Sequence, residues 1–415
     1  MNIVNRISYS LVTLILLLQT TAAQSFERRR DQDRISSSYL FLPLPYSYPG
    51  IGEGIMGLVQ AGDVAGTPID FTAIQIFGDV NGTIAQLAEV PLIPNMLFYG
   101  GTYQKFSKIS FSNYNKRGLD SEKEDYSLIE INKGGGMSSD LTLSLWDKRI
   151  EMKAGIEKFN FEAVALRNPE GEIIAEFDEP LKSEDNEKRI SIKLDFTDDY
   201  DDARKGLRTE ISATDDLKND NETPDYYVVN TNTSLFFPVG KSNTLIFNHS
   251  SSDAVMEQAG NVNEAEIAES IGIQCADDDS ACLESRQSLI DDKLAENGKG
   301  TANSIGGNQR MRSYPGGRFK AAHTRVVGSE FRWNFLEGAR PFDFGIWKDV
   351  AATYQLAAFY EVGSAEENES DLWSETRDSY GVGFRMVSQS GSVYRADIAQ
   401  GEEGSEFTMF FDYPW

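Results

Sequence analysis

Phe407-Thr-Met-Phe-Phe-Asp-Tyr-Pro-Trp415 is the stretch on which the fold turns. A strand sends alternate side chains to opposite faces. Phe407, Met409, Phe411, Tyr413 and Trp415 therefore share one apolar face, while Thr408, Phe410, Asp412 and Pro414 share a mixed one. Two folds make such a strand. A water-soluble sandwich buries the apolar face in its core. A membrane barrel turns it to lipid, keeps polar residues inside and places aromatics at the interface. Alone, the segment fits both.

The opposite end separates them. Residues 1–23 have the layout of a secretory signal, with Arg6 in the charged region, an apolar run from Leu11 to Leu18, and Thr21-Ala22-Ala23 as the small-residue cleavage site. The apolar run falls short of the ~20 residues a spanning helix needs, and no longer one follows. An exported chain of this kind can occupy a membrane only as a closed barrel, the other structure that satisfies every backbone group in lipid. The net charge of -26 over 415 residues argues against a nucleic-acid partner or a basic lipid-binding patch. With two cysteines and two histidines in the chain, a Cys/His zinc site is not expected. Cys275 and Cys282 are expected to form a local disulfide in an oxidising compartment.

Strand-like runs fall near 52–62, 69–79, 82–91, 94–110, 123–133, 138–147, 149–165, 188–197, 205–214, 225–237 and 241–250, then near 323–336, 350–363, 375–388, 392–401 and 406–415. That is sixteen, an even number, as a barrel requires. The alternation is clearest late in the chain. Val327, Phe331, Trp333 and Phe335 oppose Glu330, Arg332 and Asn334; Tyr380, Val382, Phe384 and Met386 oppose Ser379, Gly381, Gly383 and Arg385. Charges in the middle of long strands, opposite broad aromatic faces, suit a polar lumen. The expected organisation is a signal peptide (1–23), a short periplasmic segment (24–38) that is basic around Arg28-Arg29-Arg30, and an all-β barrel domain (39–415). A long loop at 251–322 interrupts the barrel, with Val262, Ile267, Ile271, Leu283, Leu289 and Leu294 spaced for short amphipathic helices.

Gly306-Gly-Asn-Gln-Arg-Met-Arg-Ser-Tyr-Pro-Gly-Gly-Arg-Phe319 resembles the loop signature of the BamA/TamA (bacterial surface antigen) superfamily: a Gly-Gly pair, an Arg-Gly-aromatic tripeptide, then Arg-Phe. Arg312-Ser313-Tyr314 stands at the tripeptide, with serine where glycine is usual. Phe359-Tyr-Glu-Val-Gly363 is similar to the family's Phe-x-Asp-x-Gly strand motif, with Glu361 for the aspartate. Ser329-Glu-Phe-Arg332, Gly381-Val-Gly-Phe-Arg385, Arg395-Ala-Asp397 and the terminal aromatic follow in family order, and Asp198-to-Gly206 resembles an acidic periplasmic turn. The match covers roughly 185–415. The resemblance implies a 16-stranded antiparallel transmembrane barrel whose sixth extracellular loop folds back into the lumen. It also implies an outer-membrane location in a Gram-negative bacterium, with lipid around the barrel. Client polypeptides or a periplasmic accessory protein are the implied partners. The family normally carries POTRA domains before the barrel; residues 24–38 leave no room for one.

Strand parity turns Glu330 and Glu361 to the lumen, along with Arg332, Arg385, Arg395 and Asp397. With the family pattern, Arg312 is expected to pair with Glu330, Glu361 or both and so lock the loop, Tyr314 beside it, to the inner wall; a guanidinium fork suits carboxylates. The plainer alternative is a solvated loop arginine above a wet, glutamate-lined channel. Phe407, Phe411, Tyr413 and Trp415 are expected to form the C-terminal strand signal. No Gly-x-Ser-x-Gly elbow or His-Glu-x-x-His helix is present, and Asp277-Asp278-Asp279 lacks calcium-loop spacing, so neither enzyme chemistry nor a cofactor is expected. Three function classes follow: an insertase or translocation barrel, a passive channel or structural barrel, and a soluble secreted sandwich.

Overall fold

The computed structural model describes residues 27–29, 32, 37–48, 52–216, 224–336, 342–344, 347–350, 352–388 and 393–415. The signal segment lies outside them. Sixteen antiparallel strands follow one another around a nearly closed barrel. The first eight are β1 (Ser38–Tyr48), β2 (Gly52–Gly62), β3 (Asp70–Gly78), β4 (Asn81–Ile93), β5 (Leu97–Tyr114), β6 (Tyr126–Leu145), β7 (Ile150–Arg167) and β8 (Ile173–Thr197). The rest are β9 (Gly206–Asp216), β10 (Asp225–Val239), β11 (Asn243–Gln258), β12 (His323–Leu336), β13 (Ala352–Glu366), β14 (Arg377–Ser388), β15 (Val393–Gly401) and β16 (Gly404–Phe411). A small hairpin, Phe342–Phe344 with Trp347–Val350, sits between β12 and β13.

The side-chain pattern inverts that of a water-soluble protein. Ile156, Ile190 and Val382 are about 60% exposed on the outer face, whereas Glu330, Glu361 and Arg385 inside are fully buried. Trp333, Phe335, Tyr354 and Phe384 form a chain of ring contacts on the outside, as an interfacial aromatic girdle does. No described helix is long and apolar enough to cross a membrane.

The count of sixteen agrees with the sequence reading through two offsetting differences. β1, absent from the runs above, is a strand although Pro43 and Pro45 cannot donate to a ladder; proline is confined to strands with a largely unpaired side, and among the described residues the continuous ladder of β1 is to β2, with one further pair at Tyr39. The runs 123–133 and 138–147 are one strand, β6. Its Gly134-Gly135-Gly136 centre is a close backbone approach and not a turn: a Cβ on Gly136 would lie 2.2 Å from the Lys158 carbonyl oxygen. β8 starts at Ile173, well before 188. β11 runs on to Gln258, because Ser250 and Ser252 are lumen-facing strand residues, so the long loop begins later than 251.

Where β1 meets β16 the two strands touch, but among the described residues no hydrogen-bonded ladder joins them. The hairpin after β12 reaches this seam and pairs with β1 at Tyr39 and Lys348.

The C-terminal segment departs from expectation. The strand stops at Phe411; Asp412 takes a left-handed conformation (φ 67°), and its N–H donates to the Val393 carbonyl (2.9 Å). Phe407 stays on the outer face, 44% exposed, but Tyr413, Pro414 and Trp415 turn into the lumen. Tyr413 and Trp415 are thus not lipid-facing members of the last strand, since the reversal at Asp412 ends its alternation.

An ionic centre inside the barrel

The loop between β11 and β12 carries α1 (Glu264–Ile271) and α2 (Ser280–Lys299) before it descends. Asn263 caps α1 by accepting from Ala265 N–H, and Asp279 caps α2 by accepting from Cys282 N–H. Cys275, in the turn between the helices, is bonded to Cys282 in the first turn of α2. Arg117, from the β5–β6 loop, fastens this insert over the barrel mouth: it donates to Glu367, Asp292, the Thr301 hydroxyl and the Gly300 carbonyl.

Beyond the helices the loop forms a narrow arch into the lumen, tied by Ile305 pairing with Phe319 and by Gly307 N–H donating to the Tyr314 carbonyl (2.8 Å). Ile305, Met311, Tyr314 and Phe319 pack with Leu119, Val326 and Ala365. The Tyr314 and Phe319 rings meet edge-on at 5.0 Å. Wall glycines make room for the arch. A Cβ on Gly363 would meet Ile305 and Met311 within 3.0 Å, and one on Gly401 would lie 2.3 Å from Ser313 Oγ. The left-handed residue at the tip is Met311 (φ 54°), so serine at 313 meets no backbone conflict. Ser313 N–H donates to Ser379 Oγ (3.0 Å) on β14.

Arg312 ends fully buried against the inner wall. Its Nε and backbone N–H donate to the two oxygens of Glu361 (3.1 and 3.0 Å), and Nη1 donates to Glu330 and Asp397 (3.1 Å each). The guanidinium lies 3.3 Å over the Phe359 ring and 5.0 Å from that of Trp415. Burial opposes its charge, yet Glu361, Glu330 and Asp397 together hold it protonated above the ordinary arginine range. Around it, Arg385 donates to Glu330 (3.1 Å) and Asp397, Arg395 to Asp397 (3.0 Å) and the Asn308 carbonyl, and Arg332 to Glu330 (2.7 Å). Four arginines thus face three carboxylates. The geometry brings Arg312 together with both Glu330 and Glu361, and adds Asp397 as a third acceptor. Tyr314 lies one turn away in the apolar cluster, not in the ion network.

Several residues here were not singled out in the sequence. Arg318 is also fully buried: it grips Glu403 through two nitrogens and donates to Ser121 on its oxygen side chain and carbonyl. The Arg-Phe pair of the loop motif was its signal. From the other end of the barrel, the turn after β8 folds upward. Its Asp202 Oδ1 lies 3.0 Å from both Tyr413 Oη and Gln355 Nε2, while Arg332 lies over the Tyr413 ring at 3.6 Å. The same turn holds the N-terminal segment. Arg28 donates to Thr197 and the Asp147 carbonyl, and Arg29 makes ion pairs with Asp198, Asp199 and Asp202. The described residues of the site hold a loop, a turn and the C-terminal tail against one wall.

Among solved structures, BamA from Haemophilus ducreyi, in a form lacking POTRA domains 1–3, matches with a TM-score of 0.50 and 12% identity, over 91% of this chain and 69% of that one. CdiB from Escherichia coli matches with a TM-score of 0.50 and 10% identity, over 92% and 68%. The chain has the fold of these barrels. No protein-family model matches the sequence, and no curated protein does. At this identity the likeness concerns the fold.

Proposed function

We propose that this protein sits in a bacterial outer membrane and assists polypeptides to insert into that membrane or cross it, working with client chains or a periplasmic accessory protein. The seam carries this reading. β1 and β16 lie side by side without a ladder to each other among the described residues, the hairpin pairing with β1 at Tyr39, and a strand edge so sparsely paired is a template for a further strand. The likeness in fold to BamA and CdiB supports it. In this reading the Arg312 centre fixes the loop, so that the lumen stays occupied while the seam is used; it sets conformation and performs no bond chemistry.

The second reading is a passive channel or structural barrel of the same fold. The buried arch, the inward turn at Asp202 and the C-terminal tail weigh against an open pore, but a structural barrel fits them equally. The experiment is depletion in the native host followed by quantitative proteomics of isolated outer membranes. Selective loss of outer-membrane or surface proteins is expected. An unchanged outer-membrane proteome would assign the structural role instead.

A further inference from the structure

The loop arginines do not share one environment. Arg312 makes ion pairs with three carboxylates and Arg318 with one, whereas no carboxylate of a described residue lies within ion-pair distance of Arg310, whose buried Nε has no hydrogen-bond partner. Arg310 lines a cavity of about 200 Å³ between the descending arch and the inner wall of β9–β11. Arg189 lines it too; its Nε donates to the Thr214 hydroxyl (3.3 Å), and no carboxylate of a described residue is within ion-pair distance of it. Glu210 is the single acid of the lining, which leaves two cations against one anion. Apart from Ile305, the remaining wall consists of small hydroxyls and amides, including Ser212, Asn232 and Ser250.

A cation taken partly out of water without a partner is costly, and proteins ordinarily pair it. The guanidinium fork matches a carboxylate or phosphate, and the neighbouring hydroxyls and amides suit its oxygens. The cavity has room for a group the size of a phosphate, since a water needs only about 10–15 Å³ of such space. We propose that this cavity binds the phosphate or carboxylate group of a small molecule, with Arg310 as its principal charge and the Ser212–Asn232–Ser250 wall receiving any hydroxyls the ligand bears. The inference does not depend on the transport reading.

The test is calorimetric titration of the detergent-solubilised full chain, at constant ionic strength, with inorganic phosphate, glucose 6-phosphate and glucose. Saturable binding of the two phosphates and none of glucose is expected. Arg310→Gln is expected to weaken it roughly 10- to 100-fold, the worth of a charge-assisted hydrogen bond, whereas Arg325→Gln, outside the cavity, leaves it unchanged. Heat-modifiable migration establishes that each variant is a folded barrel. Tighter binding of glucose 6-phosphate, with the gain removed by Ser250→Ala, points to a hydroxylated ligand; equal affinities point to free phosphate. Absence of saturable phosphate binding, or parental affinity in a folded Arg310→Gln variant, overturns the proposal.

Discussion

Replacing Arg312 by alanine tests the central geometry, because the consequence falls unequally on its three acceptors. Glu330 retains Arg332 and Arg385, and Asp397 retains Arg385 and Arg395. Glu361 has no other described partner: both of its hydrogen bonds come from Arg312. The substitution therefore strands one fully buried carboxylate and removes the cation seated over Phe359. Breaking a buried pair from one side costs roughly 3–5 kcal/mol, and at about 1.4 kcal/mol per decade this shifts loop docking by roughly 100- to 5,000-fold. The barrel ladders are untouched, so the expected outcome is a folded barrel with a released arch. Trypsin should then cut after Arg318, which is fully buried in the parent, and conductance in planar bilayers should rise. Adding Glu361→Gln should return much of the lost protection, because the stranded charge is gone; Glu361→Gln alone should cost less, since Arg312 keeps Glu330 and Asp397. The reasoning fails if Arg312→Ala is as protease-resistant and as closed as the parent, or if the double variant is simply additive.

Further outcomes follow from the same contacts. Tyr413→Phe removes a hydroxyl placed against Asp202 and Gln355 and should lower barrel stability by about 1–2 kcal/mol, read as a shift in the heat-modifiable transition. Cys275→Ser with Cys282→Ser should destabilise the helical insert by about 2.5 kcal/mol, the closure entropy of so short a loop, raising hydrogen exchange in α1 and α2 while Arg318 stays protected. For Asp202, burial pushes the carboxyl pKa up, but Arg204 and Arg29 outweigh it and hold the pKa below the ordinary aspartate value. A depressed carboxylate contributes stability above its unfolded pKa and loses it as pH falls through the folded one. Cleavage after Arg29 should accordingly be equally slow at pH 7 and pH 5, and accelerate only under stronger acid, measured by acid pulse and neutral proteolysis.

Strand parity made the inner wall legible because its code is purely local. Once Phe331 and Trp333 point out, Glu330 and Arg332 must point in, and the same holds for Glu361, Arg385, Arg395 and Asp397. Arg312 came from the loop pattern, since nothing in its own neighbourhood distinguishes a buried arginine from a solvated one. What escaped depends on contacts distant in sequence. Arg318 meets Glu403 across 85 positions and Asp202 meets Tyr413 across 211, and no periodicity encodes such pairs. The inward tail is hard to read for a different reason: the apolar alternation Phe407, Met409, Phe411 continues in residue type through Tyr413 and Trp415, and Pro414, which cannot donate to a ladder, is the one local sign that the strand ends.

The composition of the lock bears on how it can work. Four arginines and three carboxylates cannot be justified as a source of stability, because desolvation consumes most of what their attraction returns. The favourable part of docking lies in Met311, Tyr314 and Phe319, which pack with Leu119, Val326 and Ala365 above the charges and gain from leaving water. The ion network instead makes any other register of the arch expensive, since sliding it by one residue would leave Glu361 without its cation. A loop held by apolar contacts and positioned by charges has two well-separated states, docked or hydrated, and few between. The seam between β1 and β16 lies beside the same wall: β15 supplies Asp397 to Arg312 and pairs directly with β16. Undocking the arch therefore removes a support one strand away from the seam; if client strands add at that edge, as proposed above, their binding biases the loop in return, because coupling between two sites is reciprocal.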